Sequence, residues 1–161
     1  MKYRLFCLLI MISIIFSGCM VTDNIENNYN SYEKQNGVSE AILISIVDRD
    51  TTTLYDMFSS YQKQTIDIDE QIETLFEFCD LSQFEVSNAE YNSEISEQSV
   101  RDGRIVFMTL SDIMENIYDN EGKKYTVSYY YILTNEEDPS KEGLVGVTII
   151  REEDNERIDV G

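Results

Sequence analysis

Tyrosines and carboxylates dominate the side chains that could do chemistry in this sequence, since it contains no histidine. Tyr129, Tyr130 and Tyr131 are consecutive, and Tyr125 precedes them. In a strand, side chains alternate between faces. Tyr125, Val127, Tyr129, Tyr131 and Leu133 then share one face, and Tyr130 and Ile132 the other. An aromatic body with a polar tip suits a small amphipathic ligand or a protein partner. Tyr129, Tyr130 and Tyr131 are therefore candidate ligand-binding residues, against the plainer reading of sheet packing. Glu136-Glu137-Asp138, with Asp119 and Glu121, offers oxygen ligands of the kind Ca²⁺ takes. No EF-hand spacing accompanies them, so a solvated acidic turn is expected and no metal site. Lack of histidine removes the commonest general base near neutral pH and the commonest metal ligand. No Gly-rich phosphate loop, nucleophile elbow or Ser/His/Asp set is present. No catalytic residue and no cofactor is expected.

One cysteine has a defined chemistry. Lys2 and Arg4 precede an apolar run from Leu5 to Phe16, broken only by Ser13, and small Ser17 and Gly18 then lead to Cys19. This is the layout of a secretory signal peptide, and the run falls short of the roughly 20 residues that span a bilayer. Phe16-Ser17-Gly18-Cys19 resembles the bacterial lipobox, in which the cysteine thiol takes up diacylglycerol; Phe16 stands where Leu, Val or Ile is usual. The expectation is a signal peptide over 1–18, lipidation at Cys19 and attachment to the extracytoplasmic face of the cell membrane. Acyl chains such as palmitate anchor at roughly 0.8 kcal/mol per buried methylene. Cleavage removes Cys7 and leaves Cys79 without a disulfide partner. Cys79 falls at an apolar helical position, as a buried small hydrophobe would.

Composition sets the remaining bounds. The 161 residues suit one domain with appendages, and 42% hydrophobic content is enough for a core. A net charge of −19 argues against nucleic acid, whose phosphates need cations. Loss of 1–18 leaves 10 cations against 31 anions, a self-repelling body held at a membrane.

The elements that must position these residues follow from periodicity. Residues 19–36 are polar, Asn-rich and aperiodic, as a flexible tether would be. Helical spacing is expected over Val38–Arg49, with Leu43, Ile44 and Val47 implying burial on more than one side. Asp50-Thr51-Thr52 opens a second helix through Leu54, Met57, Phe58 and Tyr61. Ile68, Ile72, Leu75, Phe76 and Cys79 form the apolar face of a third, capped by Asp67. The period then changes to two. A strand is expected from Phe84 to Tyr91, a loop over Asn92–Arg101, and an extended stretch over Ile105–Ile117 bulged near Ser111-Asp112. Asn120-Glu121-Gly122 signals a hairpin, followed by strands over Tyr125–Thr134 and Leu144–Arg151. The charged end from Glu152 is expected to fray, leaving 37–156 as the domain and 157–161 as a tail.

Four blocks carry a resemblance: Leu54-Tyr55-Asp56-Met57-Phe58-Ser59-Ser60-Tyr61, Asp69-Glu70-Gln71-Ile72, Leu75-Phe76-Glu77-Phe78, and Asn135-Glu136-Glu137-Asp138-Pro139. Over Val38–Glu156 the chain resembles a family of uncharacterised bacterial lipoproteins, a domain of unknown function similar to the nuclear-transport-factor-2-like, or cystatin-like, fold. The resemblance implies an α+β architecture of three N-terminal helices packed on a curved antiparallel sheet, closing as a cone. It brings no catalytic residue. The expected function is a non-catalytic module, tethered to the membrane by lipid on Cys19, that binds an unknown protein or small ligand. The alternative is a cone-fold enzyme of the isomerase or dehydratase kind, using Tyr and carboxylate.

Overall fold

Two aspartates and a serine decide where three of the helices begin. Asp50 accepts a hydrogen bond from the Thr53 amide and opens α2, Thr51–Met57. Ser59 accepts from Gln62 and opens α3, Ser60–Thr65; Asp67 accepts from Glu70 and opens α4, Ile68–Phe78. Each side-chain oxygen satisfies an amide that the first helical turn leaves unpaired. Before them runs α1, residues 37–47. It stops where Arg49 turns to a positive φ of 53°, letting the Asp50 amide reach back to the Ser45 carbonyl. The computed structural model describes residues 37–92 and 94–161. The expected signal peptide, the lipidation residue Cys19 and the tether 19–36 lie outside the described residues.

Strands follow the helices. They are β1 (Glu90–Tyr91), β2 (Glu94–Arg101), β3 (Arg104–Tyr118), β4 (Lys124–Asn135), β5 (Gly143–Arg151) and β6 (Arg157–Val160). All pairings are antiparallel, in the order β1-β3-β4-β5-β6, with β2 also paired to β3. The three-helix nuclear-transport-factor-2-like cone is not what forms. Among the described residues there are four short helices in the middle of the chain, and the sheet is a meander in which β1 and β2 share β3.

The extra helix has a local cause. Periodicity runs through Leu54, Met57, Phe58 and Tyr61, but Phe58 is extended, bridges to Leu144, and is followed by a bond from the Ser59 amide to the Leu144 carbonyl. β5 thus splits the expected second helix in two. Gly143 makes this approach possible. Its φ is +125°, and a Cβ there would lie 2.9 Å from both the Met57 carbonyl oxygen and the Ser59 amide nitrogen.

Other boundaries also move. The expected strand Phe84–Tyr91 holds a 3₁₀ turn, Val86–Asn88, and only the two residues of β1. The expected loop Asn92–Arg101 supplies β2 instead. In the pairing of β3 with β4 the irregularities fall between Met108 and Thr109 and between Met114 and Ile117, not at Ser111-Asp112. The charged end does not fray, because β6 pairs with β5 and buries Val160.

The core is a single apolar cluster between helices and sheet. Ile42, Leu43 and Ile46 of α1, Leu54 of α2 and Ile68, Ile72, Leu75 and Phe76 of α4 meet Leu110, Met114, Val127, Leu144 and Ile149 from the strands. Ile44, expected to be buried, is exposed. Cys79 is buried, its thiol donates weakly to the Leu75 carbonyl, and burial pushes its pKa up to about 12. A thiol so held is no nucleophile at neutral pH.

Candidate functional site

β4 is rich in β-branched and aromatic residues and central in the sheet, and its alternation of burial holds as far as Tyr130, beyond which Ile132 is buried too. Tyr125, Val127 and Tyr129 point into the core. A register shift between Tyr130 and Tyr131, with β5 skipping from Gly146 to Leu144, bends the pairing there. Tyr131 is half-buried against the core cluster, and burial raises its pKa, with Glu142 adding to the effect. Tyr130 faces outward at 38% exposure, and Ile113, two residues beyond Tyr130's register partner Ser111, is 49% exposed on the same face. The three consecutive tyrosines therefore do not form one site. Tyr129 is core, Tyr131 is its margin and Tyr130 is surface. A cavity of about 370 Å³ lies beside Tyr130, lined also by Ser128, Gly146 and Thr148.

Two tyrosine hydroxyls of the inner face have defined partners. Tyr125 donates to Asp119 Oδ2 at 3.0 Å, while Asp119 Oδ1 accepts from the amides of Glu121 and Lys123 and so shapes the β3–β4 turn. Ser39, on α1, donates to Asp112 Oδ2 at 2.5 Å, and its Oγ lies 2.9 Å from the Tyr129 hydroxyl. With its single proton directed at Asp112, Ser39 accepts from Tyr129. Ser39 is fully buried and Asp112 is 2% exposed. Burial pushes the Tyr129 phenol up to about 12, despite the hydrogen bond with Ser39, and Asp112 adds to the rise. Tyr125 also rises to about 12, through burial first and the Asp119 contact second.

Sequence reading missed this buried serine–aspartate–tyrosine chain, having placed Asp112 at a bulge in a mixed stretch. A usable signal existed. Leu110, Asp112 and Met114 alternate in phase, which puts Asp112 on the core face of β3. Ser39 lies on the buried side of α1 with Ile42, Leu43 and Ile46. The chain ties the start of α1 to the middle of the sheet. The serine hydroxyl bridges the tyrosine and the carboxylate, which are register partners on adjacent strands.

The acidic turns are occupied by their own neighbours. Asp138 accepts from Ser140 and pairs with Lys141 at 3.1 Å, which together hold its carboxyl below the usual range. Glu137 lies 3.7 Å from Arg101. Among the described residues, no group of three or more His, Cys, Asp or Glu is placed to hold a metal ion. No helix among them is long and apolar enough to cross a membrane.

The chain belongs to a family described as a domain of unknown function, DUF5104, whose model matches residues 41–152. That match spans α1 from its fifth described residue to the end of β5, including Asp112 and all three candidate tyrosines. No curated protein matches the chain.

Proposed function

We propose that this protein is a lipid-anchored, extracytoplasmic binding module, carried on Cys19 and taking up a protein or small ligand through the outward face of β4. The observation that carries the reading is Tyr130, a large amphipathic side chain left substantially exposed on a central strand beside a cavity. Central strands of an antiparallel sheet commonly expose one face, and Ser128 and Thr148 are ordinary residues for it. A phenol and an isoleucine among them are beyond what solvation needs. On the inner face the Tyr125 and Tyr129 hydroxyls are held by Asp119 and Ser39. Ser17-Gly18-Cys19 after an apolar run supports the anchor.

The two halves of the reading are tested together in cells. Cys19→Ala abolishes incorporation of labelled palmitate and leaves an unprocessed precursor. Tyr130→Ala weakens capture of whatever crosslinks to the tethered protein and leaves the unfolding midpoint within about 0.5 kcal/mol of wild type. Unchanged labelling in the first variant refutes the anchor. Capture unaffected by the second refutes the surface.

A further inference from the structure

A second groove, remote in sequence from Tyr130, has a different chemistry. It lies between the segment after α4 and the tip of the β3–β4 hairpin, is an open depression of about 860 Å³, and is lined by Gln83, Phe84, Glu85, Asn88, Asn116 and Tyr118, among others. That volume is within the roughly 300–1,000 Å³ of small-molecule sites. Its walls are stitched at one end. The Asn120 amide nitrogen bonds to the Asp80 carbonyl, and its side chain donates to Asp80 Oδ2 at 2.9 Å and to Ser82 Oγ at 3.3 Å. Below them, Asp119 braces the turn through three accepted hydrogen bonds. The groove is held open by built structure.

Asp119 and Asn120 apart, the polar lining is open to solvent. The side-chain amides of Gln83, Asn88 and Asn116 and the carboxylate of Glu85 make no hydrogen bond to other described residues, nor does the Tyr118 hydroxyl. Tyr118 is 45% exposed, and Phe84 is half-buried on the core cluster. Asn116 sits in the bulge between Met114 and Ile117 with a positive φ of 60°. Bulges re-aim side chains, and left-handed backbone away from glycine marks a constraint that the surroundings must sustain.

We propose that this groove binds a neutral oligosaccharide, with the Tyr118 ring against the C–H face of one sugar and the amides of Gln83, Asn88 and Asn116 on its hydroxyls. The ligand class follows from the match of its groups to this lining. An anionic ligand would meet Glu85, Asp119 and a chain of net charge −19. A purely apolar ligand would bury three amides without partners. A sugar hydroxyl both donates and accepts, as does each side-chain amide. Its axial C–H groups are weakly positive and suit the negative face of an aromatic ring. This inference does not depend on Tyr130 or on the anchor.

The test is a titration of the ¹⁵N-labelled full chain, in a detergent without a sugar head group, with N,N′,N″-triacetylchitotriose, cellotriose and maltotriose. A tri-alanine peptide serves as the competing class. At least one trisaccharide is expected to give saturable shifts confined to residues 83–88 and 116–120. Tyr118→Ala and Asn88→Ala should each weaken that sugar about tenfold or more, while Tyr118→Phe, which keeps the ring, stays within about threefold. Neither position is in the core, so unfolding midpoints should hold. The proposal is overturned if no trisaccharide gives saturable shifts up to about 10 mM. It is equally overturned if the shifts fall elsewhere, if Tyr118→Ala leaves affinity unchanged, or if only the peptide binds.

Discussion

Tyr129 reaches the interior on an alternating strand, and its hydroxyl, too polar to be buried alone, is met by Ser39. Because burial lifts its pKa from 10 to about 12, the folded state holds the phenolic proton more tightly than the unfolded chain does. Stability is then full below about pH 10, where both states are protonated, and falls as pH rises from 10 towards 12. Two pH units correspond to about 2–3 kcal/mol for a group this well buried. Tyr125 titrates in the same window, and Cys79 over a wider one, from about 9 towards 12. Denaturation of wild type and Tyr129→Phe from pH 8 to 12 isolates one share. The variant should start about 1 kcal/mol less stable, having lost a buried hydrogen bond, and decline less steeply above pH 10. Parallel pH profiles would show that Tyr129 ionises freely in the folded state.

Helix boundaries depend on single contacts that no periodicity records. Gly143 allows β5 to press against the joint between α2 and α3, where the added Cβ of Gly143→Ala would strike two backbone atoms. That substitution should cost at least about 2 kcal/mol, measured by urea denaturation. Wild-type stability would mean the joint is loose. α4 shows the opposite case, an element legible from its pattern. Asp67 caps it, Ile72, Leu75 and Phe76 are buried, and Glu73 lies outside the core. Phe76→Ala should cost about 3–5 kcal/mol, including loss of the Arg49 guanidinium stacked 5.4 Å from the ring centroid. Glu73→Ala should cost less than about 1 kcal/mol, since its bond from Thr51 is exposed. Equal losses in chemical denaturation would reverse the assignment of the buried face.

Across the whole domain, the last strand closes what the first helices begin. Val160 of β6 is buried in the core cluster, and the Gly161 amide donates to Gln71 of α4 at 2.9 Å. Val160→Ala should therefore cost about 1.5–3 kcal/mol, whereas a frayed end would show no change in unfolding midpoint. The sequence by itself determined the features that arise within one element. Period and capping chemistry placed α4; β-branched and aromatic density placed β4; Asn120-Glu121-Gly122 placed the turn between β3 and β4. Alternation alone set Tyr129 and Tyr130 on opposite faces. Tertiary structure decided whatever needed two distant segments at once. A polar stretch became β2 because β3 offered it an edge, and a charged end became β6 because β5 did. One expected helix became two because Leu144 bonds across the break. Asp112 found Ser39 and Tyr129, 73 residues from the first, and Asn120 joined the hairpin to the segment after α4. The physical reason is the range of the forces. Periodicity and capping act within a turn or a few residues, while strand pairing and the burial of polar groups are settled only when the chain brings their partners together.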